Sequence, residues 1–280
     1  MRKSKIVLAA PILKWVGGKR QLMDEIRQLV PKSYTTYYEP FIGGGAVLFE
    51  LQPNKAVIND VNGELINLYN TIKDDVELLI EDLKKHENTS EYFYKIRELD
   101  RNREAYDILT NVEKASRIVY LNKTCFNGLF RVNKAGEFNS PFGKYKNPNI
   151  VDEVTLRAVS KYFNRANIKI MNNDFEECLK GIRKGSFVYL DPPYDPVSSS
   201  ANFTGYDKGG FNREEQIRLK KMCDKLDKRG VKFLLSNSST EFIKDLYKEY
   251  DIKIVKAKRA INSNGNSRGE VDEVLVRNYE

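Results

Sequence analysis

The pattern of apolar and polar positions divides the chain into two sheet-forming parts separated by a stretch of amphipathic helices. Short apolar runs bounded by turn residues predict strands. They occur at 37–39, 56–58, 168–171, 186–190, 231–236, 252–255 and 273–277. Helical periodicity appears between them, at 46–51, 61–72 and 212–229. Strands that alternate with helices are typical of a parallel sheet, so we expect an α/β fold.

Residues 74–150 follow a different pattern. Charged amphipathic helices are predicted at 74–87, 91–104 and 113–123, and a hairpin is predicted at 130–142 with its turn at 134–136. The chain is therefore expected to form a sheet domain, made of residues 1–73 and 151–280, interrupted by a mostly helical domain at 74–150. A loop rich in Asn, Ser and Gly at 262–269 is expected to be mobile.

Charge adds a possible partner to this outline. The net charge of +8 and the pI of about 9.1 permit a polyanionic partner. Between Lys114 and Lys146 there are seven basic residues and one acid, and between Lys253 and Arg268 there are five basic residues and no acid. Basic runs are often solvated faces, so charge alone does not distinguish a nucleic-acid surface from an ordinary one.

Cysteine and histidine usage argues against several kinds of site. The three cysteines are odd in number and far apart, which fits neither a disulfide framework nor a metal site. The single histidine, His86, lies in a charged segment and is predicted to be exposed, so neither histidine catalysis nor a metal centre is expected. No apolar run approaches the roughly 18 residues of a membrane span. The basic and apolar start is broken by Pro11 and lacks a cleavage-site pattern, so we expect a cytoplasmic protein.

The most specific chemical motif follows the apolar run at 187–190 and consists of Asp191, Pro192, Pro193 and Tyr194. Open α/β sheets bind their ligands at the carboxyl ends of strands, where this motif would lie. The prolines lack N–H donors, so the carbonyls of the turn stay available as acceptors. These residues suit the methylation of an exocyclic amine such as adenine N6, whose lone pair is delocalised into the ring. A carboxylate and a carbonyl that accept both N–H bonds would direct this lone pair at an incoming methyl group. An aromatic ring would stack on the base once it has left the helix.

Two further motifs suggest a nucleotide-like ligand. Glu39 precedes three contiguous glycines at 43–45, which permit a close approach of backbone to ligand but do not match the spaced dinucleotide fingerprint. Asp60 follows the next predicted strand, about 20 residues after Glu39, where an acid commonly holds ribose hydroxyls. The second motif lies at residues 14–19, where a glycine pair lies between Trp15 and Lys19. The ammonium of Lys19 is suited to the carboxylate of a ligand.

The order of these motifs resembles the Dam family of DNA adenine-N6 methyltransferases, which act on GATC as restriction-modification or orphan enzymes. The resemblance rests on KWVGGK, EPFIGGGAVLF, ND, a helical insertion, NNDF and YLDPPY, and it departs at Val16, where many relatives carry Ala. It implies a Rossmann-like S-adenosylmethionine-dependent methyltransferase sheet with an inserted, mostly helical DNA-recognition domain. The implied cofactor site comprises Trp15, Lys19, Glu39, Phe41, Gly43, Gly45, Asp60, Asp174, Phe175 and Asp191. Asp191 would contact both the cofactor and the target base.

Within the insertion, residues 126–131 and 138–145 are similar to the DNA-reading hairpin of GATC methylases. The similarity implies that Arg131 contacts a guanine edge and that Phe126 and Asn127 enter the base stack near the extruded base. Relatives often have Tyr in place of Phe126. An Arg fork suits guanine, apolar groups suit the thymine methyl, and lysines suit phosphates. The full set of expected DNA contacts is Lys123, Phe126, Asn127, Leu129, Arg131, Asn139, Pro141, Lys144 and Tyr145. A hairpin with only a structural role is the alternative.

We therefore predict a site-specific enzyme, monomeric in solution, that methylates adenine N6 in double-stranded DNA without a metal. One alternative is a methyltransferase acting on RNA, cytosine N4 or a protein amide. Asp191 favours adenine, because enzymes acting on glutamine usually have Asn there and those acting on cytosine often have Ser. A nicotinamide-dependent dehydrogenase conflicts with the contiguous glycines and with residues 191–194. A non-enzymatic DNA-binding protein would leave the cofactor motifs unexplained.

Overall fold

The computed structural model describes residues 5–15, 17–197, 210–258 and 270–280, and these contain one seven-stranded sheet. The strands are β1 (Tyr37–Glu39), β2 (Lys55–Asn59), β3 (Asn167–Met171), β4 (Phe187–Leu190), β5 (Lys232–Ser238), β6 (Asp251–Lys258) and β7 (Glu270–Arg277). Their order is β3-β2-β1-β4-β5-β7-β6. The first five pair in parallel, and β7 lies antiparallel between β5 and β6. Each predicted strand is confirmed, with ends that differ by three residues at most. The predicted loop at 262–269 lies outside the described residues.

The helices surround this sheet and fill the middle of the chain. They are α1 (Met23–Leu29), α2 (Ala46–Leu51), α3 (Gly63–Asp74), α4 (Val76–Leu83), α5 (Ser90–Glu98), α6 (Arg103–Asp107), α7 (Asn111–Thr124), α8 (Glu153–Arg165), α9 (Phe175–Cys178), α10 (Arg213–Lys228) and α11 (Glu241–Leu246). The single helix predicted at 91–104 is wrong, because the side chain of Asn102 accepts from the Ala105 N–H and starts a new helix, α6. The pattern analysis also missed α8, although Leu156, Val159 and Phe163 have helical spacing.

Two apolar cores lie on opposite faces of the sheet, and β4 contributes to both. Phe187 and Tyr189 belong to the larger core, whereas Val188 and Leu190 belong to the smaller one. Successive side chains of a strand point to opposite faces, so a strand buried on both faces reads as a continuous apolar run. This central position of β4 fixes the direction in which the chain leaves its carboxyl end.

The helices at 74–150 share the larger core with the sheet. Leu79, Phe93 and Ile118 belong to the same buried cluster as Tyr37 of β1. The longest helix of this segment, α7, packs against α3 and α4 and begins with a capping box between Thr110 and Glu113. This segment is thus joined to the sheet by continuous apolar packing, and its role as a separate recognition domain remains a prediction.

His86 is not the exposed residue that the sequence predicted. Its ring is half-buried and stacks on Tyr120 with a centroid distance of 4.4 Å. Its two ring nitrogens lie 3.0 Å from the Tyr92 hydroxyl and 2.9 Å from Ser116 Oγ. Burial lowers the pKa of His86 to about 4, so the ring is neutral near pH 7. The expectation was wrong because it was based on the charged residues next to His86 in the sequence. The residues that contact its ring come instead from α5 and α7.

Candidate active site

The candidate site lies where the sheet order reverses direction. From β1 the parallel order runs outward through β2 to β3, and from β4 it runs the opposite way to β5. Ligands of open α/β sheets bind at such a switch point, beyond the carboxyl ends of the strands. Glu39 ends β1 and Asp191 follows β4, so the two motifs are brought together as predicted.

Asp191 is held by one of its two carboxylate oxygens. The ammonium of Lys19 lies 2.8 Å from Oδ1, and the Ser236 hydroxyl donates to the same Oδ1 at 2.9 Å. Burial raises the pKa of Asp191, and the Lys19 charge and both hydrogen bonds act against that rise. This arrangement fixes the orientation of the carboxylate, with Oδ2 turned away from the bonds made by Oδ1.

Lys19 connects the motif at residues 14–19 to the turn at 191–194. It is 5% exposed, it donates to the Gly17 carbonyl at 2.6 Å, and its Nζ lies 4.7 Å from the centroid of the Tyr194 ring. Tyr194 is anchored at its other end, because its hydroxyl donates to Glu273 Oε2 at 2.8 Å. In the structure, therefore, the carboxylate that Lys19 contacts is that of Asp191. Sequence reasoning did not identify Glu273 or Ser236.

The glycine loop after β1 is closed by Asp60 and covered by Trp15. The Gly43 N–H donates to Asp60 Oδ2 at 3.0 Å, and the Tyr69 hydroxyl donates to the Gly43 carbonyl at 2.7 Å. Gly43 has a φ of 46°, and a Cβ atom there would lie 2.9 Å from Cδ1 of Trp15. Only glycine meets both conditions without strain. The predicted residues Trp15, Gly43 and Asp60 thus belong to one cluster.

Glu39 ends β1, before this loop, and is only 2% exposed. It accepts a hydrogen bond from the Tyr37 hydroxyl at 2.7 Å. Burial raises the pKa of Glu39 well above its usual range, and the nearby charge of Asp191 raises it further. The exposed surface of Glu39 is therefore too small for an extended ligand contact.

Asp174 and Phe175 lie beside Phe41 but are engaged by other residues. Arg218 donates to both carboxylate oxygens of Asp174, at 2.9 and 2.6 Å, and lowers the pKa of that carboxyl group. The Arg218 guanidinium also lies 4.2 Å from the centroid of the Phe175 ring. Phe175 is buried, and its ring centroid is 5.5 Å from that of the half-exposed Phe41. Arg218, which the sequence analysis missed, organises this side of the site.

The predicted hairpin forms the outer part of an arm, residues 126–145, that is called the hairpin arm below. Antiparallel bridges join Val132 to Phe138 and Cys125 to Phe142, so the prediction of paired segments is confirmed although they are too short to form named strands. The Arg131 Nε donates to Asn139 Oδ1 at 2.8 Å, and Arg131 Nη2 donates to the Asn139 carbonyl at 3.3 Å. Asn139 thus holds the Nε and Nη2 edge of the guanidinium, and a guanidinium has five N–H donors in all.

Most of the other expected contact residues lie on the surface of the hairpin arm. Phe126 is 56% exposed and Tyr145 is 39% exposed, and Asn127 and Lys144 have left-handed backbone with φ of 58° and 55°. Lys123 differs, because it is half-buried on α7 and burial lowers its pKa. The exposed members are Phe126, Asn127, Arg131, Pro141, Lys144 and Tyr145, and the half-buried ones are Lys123, Leu129 and Asn139.

The base of the hairpin arm contacts the glycine-loop cluster. Trp15 stacks on Phe130 with a centroid distance of 4.9 Å and an interplanar angle of 22°. Asn122, almost fully buried, accepts from the Lys14 N–H at 2.9 Å and donates to the carbonyls of Lys14 and Gly128 at 2.9 and 3.0 Å. One indole ring therefore lies between the two predicted ligand-contacting regions.

A buried ionic cluster, also missed by sequence reasoning, holds the returning segment of the hairpin arm. Asp100 Oδ2 accepts from the Phe138 N–H at 2.8 Å and lies 2.8 Å from Nη2 of Arg117. Arg101 pairs with Asp100 and donates to the Phe138 carbonyl at 2.6 Å. Both backbone polar groups of Phe138 are thus bonded to charged side chains from the helical segment.

Among the described residues, no group of three or more His, Cys, Asp and Glu side chains is arranged to hold a metal ion. None of the described helices has both the length and the apolar character that crossing a bilayer demands.

Comparison with known proteins gives consistent matches over nearly the whole chain. The family described as D12 class N6 adenine-specific DNA methyltransferase matches residues 15–261. The chain is 47% identical to a type II methyltransferase of Lactococcus lactis subsp. cremoris, covering 100% of this chain and 98% of the relative. It is 44% identical to a type II methyltransferase of Methanocaldococcus jannaschii, with coverages of 96% and 99%. It is 33% identical to the DNA adenine methylase of Escherichia coli, with coverages of 94% and 93%.

Proposed function

Because the chain belongs to the family of D12 class N6 adenine-specific DNA methyltransferases, we propose that it methylates the adenine of GATC sites in double-stranded DNA, with S-adenosylmethionine as the methyl donor. The single observation that carries this proposal is the turn at residues 191–194, which presents an oriented carboxylate and an anchored aromatic ring at the switch point of the sheet. Cytoplasmic location and a monomeric state in solution are part of the same proposal.

The residues around the glycine loop fit S-adenosylmethionine. Each oxygen of Asp60 accepts one backbone N–H, from Gly43 and from Asn62, both at 3.0 Å. Asp60 follows the carboxyl end of β2, where an acid commonly holds ribose hydroxyls. The half-exposed ring of Phe41 offers a face for the adenine of the cofactor. When bound, the cofactor supplies a methyl group on a positively charged sulfur.

The remaining chemistry belongs to the turn. Asp191 Oδ2 and the Pro192 carbonyl accept the two N–H groups of the target adenine and orient its nitrogen. Lys19, 2.8 Å from Asp191, helps to keep that carboxylate ionised in spite of its burial. Tyr194 stacks on the extruded base while Glu273 holds its hydroxyl. N6 is acidic once it is alkylated, and the Asp191 carboxylate, which already accepts one of its N–H groups, is the acceptor for the proton that N6 then loses. The catalytic contribution of the chain is thus mainly positioning.

The hairpin arm is the proposed reader of the DNA sequence. Arg131 is exposed, and the guanidinium donors that Asn139 does not engage suit guanine O6 and N7. Phe126 and Asn127 protrude at the base of the arm, where an unstacked base would leave a gap to be filled. The half-buried Lys123 is the weakest member of the proposed set, because its burial limits its reach to a phosphate.

Two measurements test this function. The first is calorimetric titration of the protein with S-adenosylmethionine in the absence of DNA, where we expect saturable binding; a protein that only binds DNA would give none. The second is expression in a host without DNA methylation, followed by digestion of its DNA with endonucleases that distinguish methylated from unmethylated GATC. Resistance at GATC supports the proposal. Methyl-adenine at other sites, detected by modification-sensitive sequencing, would overturn the proposed recognition sequence but not adenine methylation. Methyl-cytosine would overturn the proposal that adenine is the target base.

A further inference from the structure

A buried chain of amide groups lies behind the catalytic turn. The side chain of Gln216, on α10, donates from Nε2 to the Pro193 carbonyl at 2.8 Å. Asn237, on β5, donates from Nδ2 to Gln216 Oε1 at 3.0 Å and accepts the Asp195 N–H on Oδ1 at 3.1 Å. Both amides have 0% exposure. The proposed roles of Asp191, Pro192 and Tyr194 do not involve either residue.

The backbone fixes the direction of this relay. An N–H group is always a donor and a carbonyl is always an acceptor, so Asp195 must meet an oxygen of Asn237 and Pro193 must meet a nitrogen of Gln216. These two bonds leave the Asn237 nitrogen and the Gln216 oxygen for the bond between the two side chains, in which Asn237 donates and Gln216 accepts. Only one orientation of each amide satisfies all three bonds, and that orientation holds the peptide groups on both sides of Tyr194.

Asp195 is itself held firmly. It is 2% exposed, and its carbonyl accepts from Ser238 Oγ at 2.7 Å. Its carboxylate accepts from the Thr240 hydroxyl at 2.8 Å and from Arg213 Nε at 3.0 Å. The far end of the turn is therefore anchored to β5 and to the start of α10, so a displacement caused by loss of the relay would concentrate at Pro193.

We propose that Gln216 and Asn237 are positioning residues for methyl transfer. By occupying the Pro193 carbonyl they leave the Pro192 carbonyl as the acceptor for the adenine amino group, and they fix its distance from Asp191. Neither residue touches the substrate in this proposal. The inference rests on the proposed acceptor roles of Asp191 and Pro192, and a misplacement of about 1 Å at such a site can slow a reaction by about 10²-fold.

The test compares two single variants with their double variant. Gln216→Met keeps the length of the side chain but cannot donate to Pro193. Asn237→Asp keeps the acceptor for Asp195, but both its oxygens are acceptors, so Gln216 must turn its nitrogen away from Pro193 to satisfy them. Leu226→Ala is the control, because Leu226 is buried on the same helix and contacts the smaller core rather than the turn. The readouts are the single-turnover methylation rate, the Kd of each substrate and the thermal midpoint.

We expect each relay variant to slow single turnover by about 10- to 100-fold, while the Kd values for DNA and S-adenosylmethionine stay within about twofold. The double variant should be no more than about threefold slower than the slower single variant, because both act through one carbonyl. Leu226→Ala should lower the thermal midpoint and leave the rate within about twofold. Rates near wild type in the relay variants, an equal rate loss in Leu226→Ala, or multiplicative losses in the double variant would overturn the inference. Two further measurements distinguish the possible failures. If Asp191→Ala retains turnover in the same assay, the acceptor roles on which this inference rests are wrong. If the wild-type protein shows no methylation of adenine, the proposed function itself fails.

Discussion

The catalytic turn and the hairpin arm are held by opposite means. Residues 191–195 are buried or half-buried and are bonded to side chains from β5, β7 and α10, so the turn owes its shape to distant parts of the fold. The hairpin arm exposes its tip and bonds internally through Arg131 and Asn139. Trp15 attaches it at Phe130, and Asp100 attaches it at Phe138.

The difference follows from the two tasks. Accepting both hydrogens of one amino group demands a single geometry in surroundings from which water is excluded, where electrostatic interactions are strong. Reading a base edge demands side chains that stand in solvent until DNA arrives. Substitutions in the turn should therefore change the rate of chemistry, whereas substitutions in the arm should change which duplex is chosen.

The largest expected effect is on the turn. Asp191→Ala removes the proposed carboxylate acceptor, and the loss of one preorganised group of this kind costs about 10²–10³-fold or more in rate. DNA affinity should stay within about twofold, because the arm and the phosphate contacts lie elsewhere. Single-turnover methylation and a DNA-binding titration measure the two quantities, and excess chelator should leave the wild-type rate unchanged. Near-normal turnover in the variant, or inhibition by the chelator, would contradict the mechanism.

The second prediction concerns the attachment of the arm. Asp100→Ala leaves the partly buried guanidinium groups of Arg117 and Arg101 without their carboxylate, and breaking a buried ion pair in this way costs about 3–5 kcal/mol. Chemical denaturation measures the free energy of unfolding. The control is Asp107→Ala, which removes an exposed pair with Arg103 and should cost less than about 1 kcal/mol. Equal effects of the two substitutions would show that Asp100 does not hold the arm.

The sequence predicted the parts of the site that strand order alone brings together. Glu39 ends one predicted strand and Asp191 follows another, and the carboxyl ends of adjacent parallel strands must meet at one edge. Trp15 and Lys19 precede the first strand and have no strand end to locate them. The glycine pair between them suggested only a ligand-facing turn, and the resemblance assigned both residues to the cofactor site.

The supporting residues could not be predicted in this way. Gln216 and Arg218 lie on a helix whose apolar spacing predicts only that one face is buried, and nothing local indicates that Gln216 meets Pro193. Glu273 reaches Tyr194 because β7 inserts antiparallel beside β5, a topology that periodicity does not specify. The partners of a polar side chain depend on the tertiary arrangement, which is also why His86 was misjudged.

The third prediction returns to the glycine loop. Asp60→Ala removes acceptors for the Gly43 and Asn62 N–H groups and for the proposed ribose hydroxyls, so S-adenosylmethionine should bind about 1–3 kcal/mol more weakly. Calorimetry without DNA measures the affinity, and Asp75→Ala, an exposed acid, serves as the control. An unchanged affinity in a folded Asp60 variant would remove this residue from the site.

The smallest effects are expected on the arm, where two basic residues should fail differently. A bidentate arginine favours guanine over other bases by about 1–3 kcal/mol. Arg131→Ala should therefore slow methylation of GATC and reduce the ratio of its methylation rate to that of duplexes that differ by one base pair. Asn139→Ala should reproduce part of this loss, because Asn139 holds the Arg131 Nε.

Lys144→Ala tests the phosphate-contact half of the same comparison. As a phosphate contact, Lys144 should weaken binding to every duplex by a similar factor and reduce the dependence of affinity on salt. The measurement is steady-state methylation of GATC and single-mismatch duplexes, with binding titrations at two salt concentrations. If Arg131→Ala lowers activity equally on all duplexes, Arg131 is also a phosphate contact and the reader must be sought elsewhere on the arm. If Lys144→Ala changes the preference among duplexes, the two roles are exchanged. The assignment of adenine methylation to the turn would stand under either result, because Asp191 is held by Lys19 and Ser236 and not by residues of the arm.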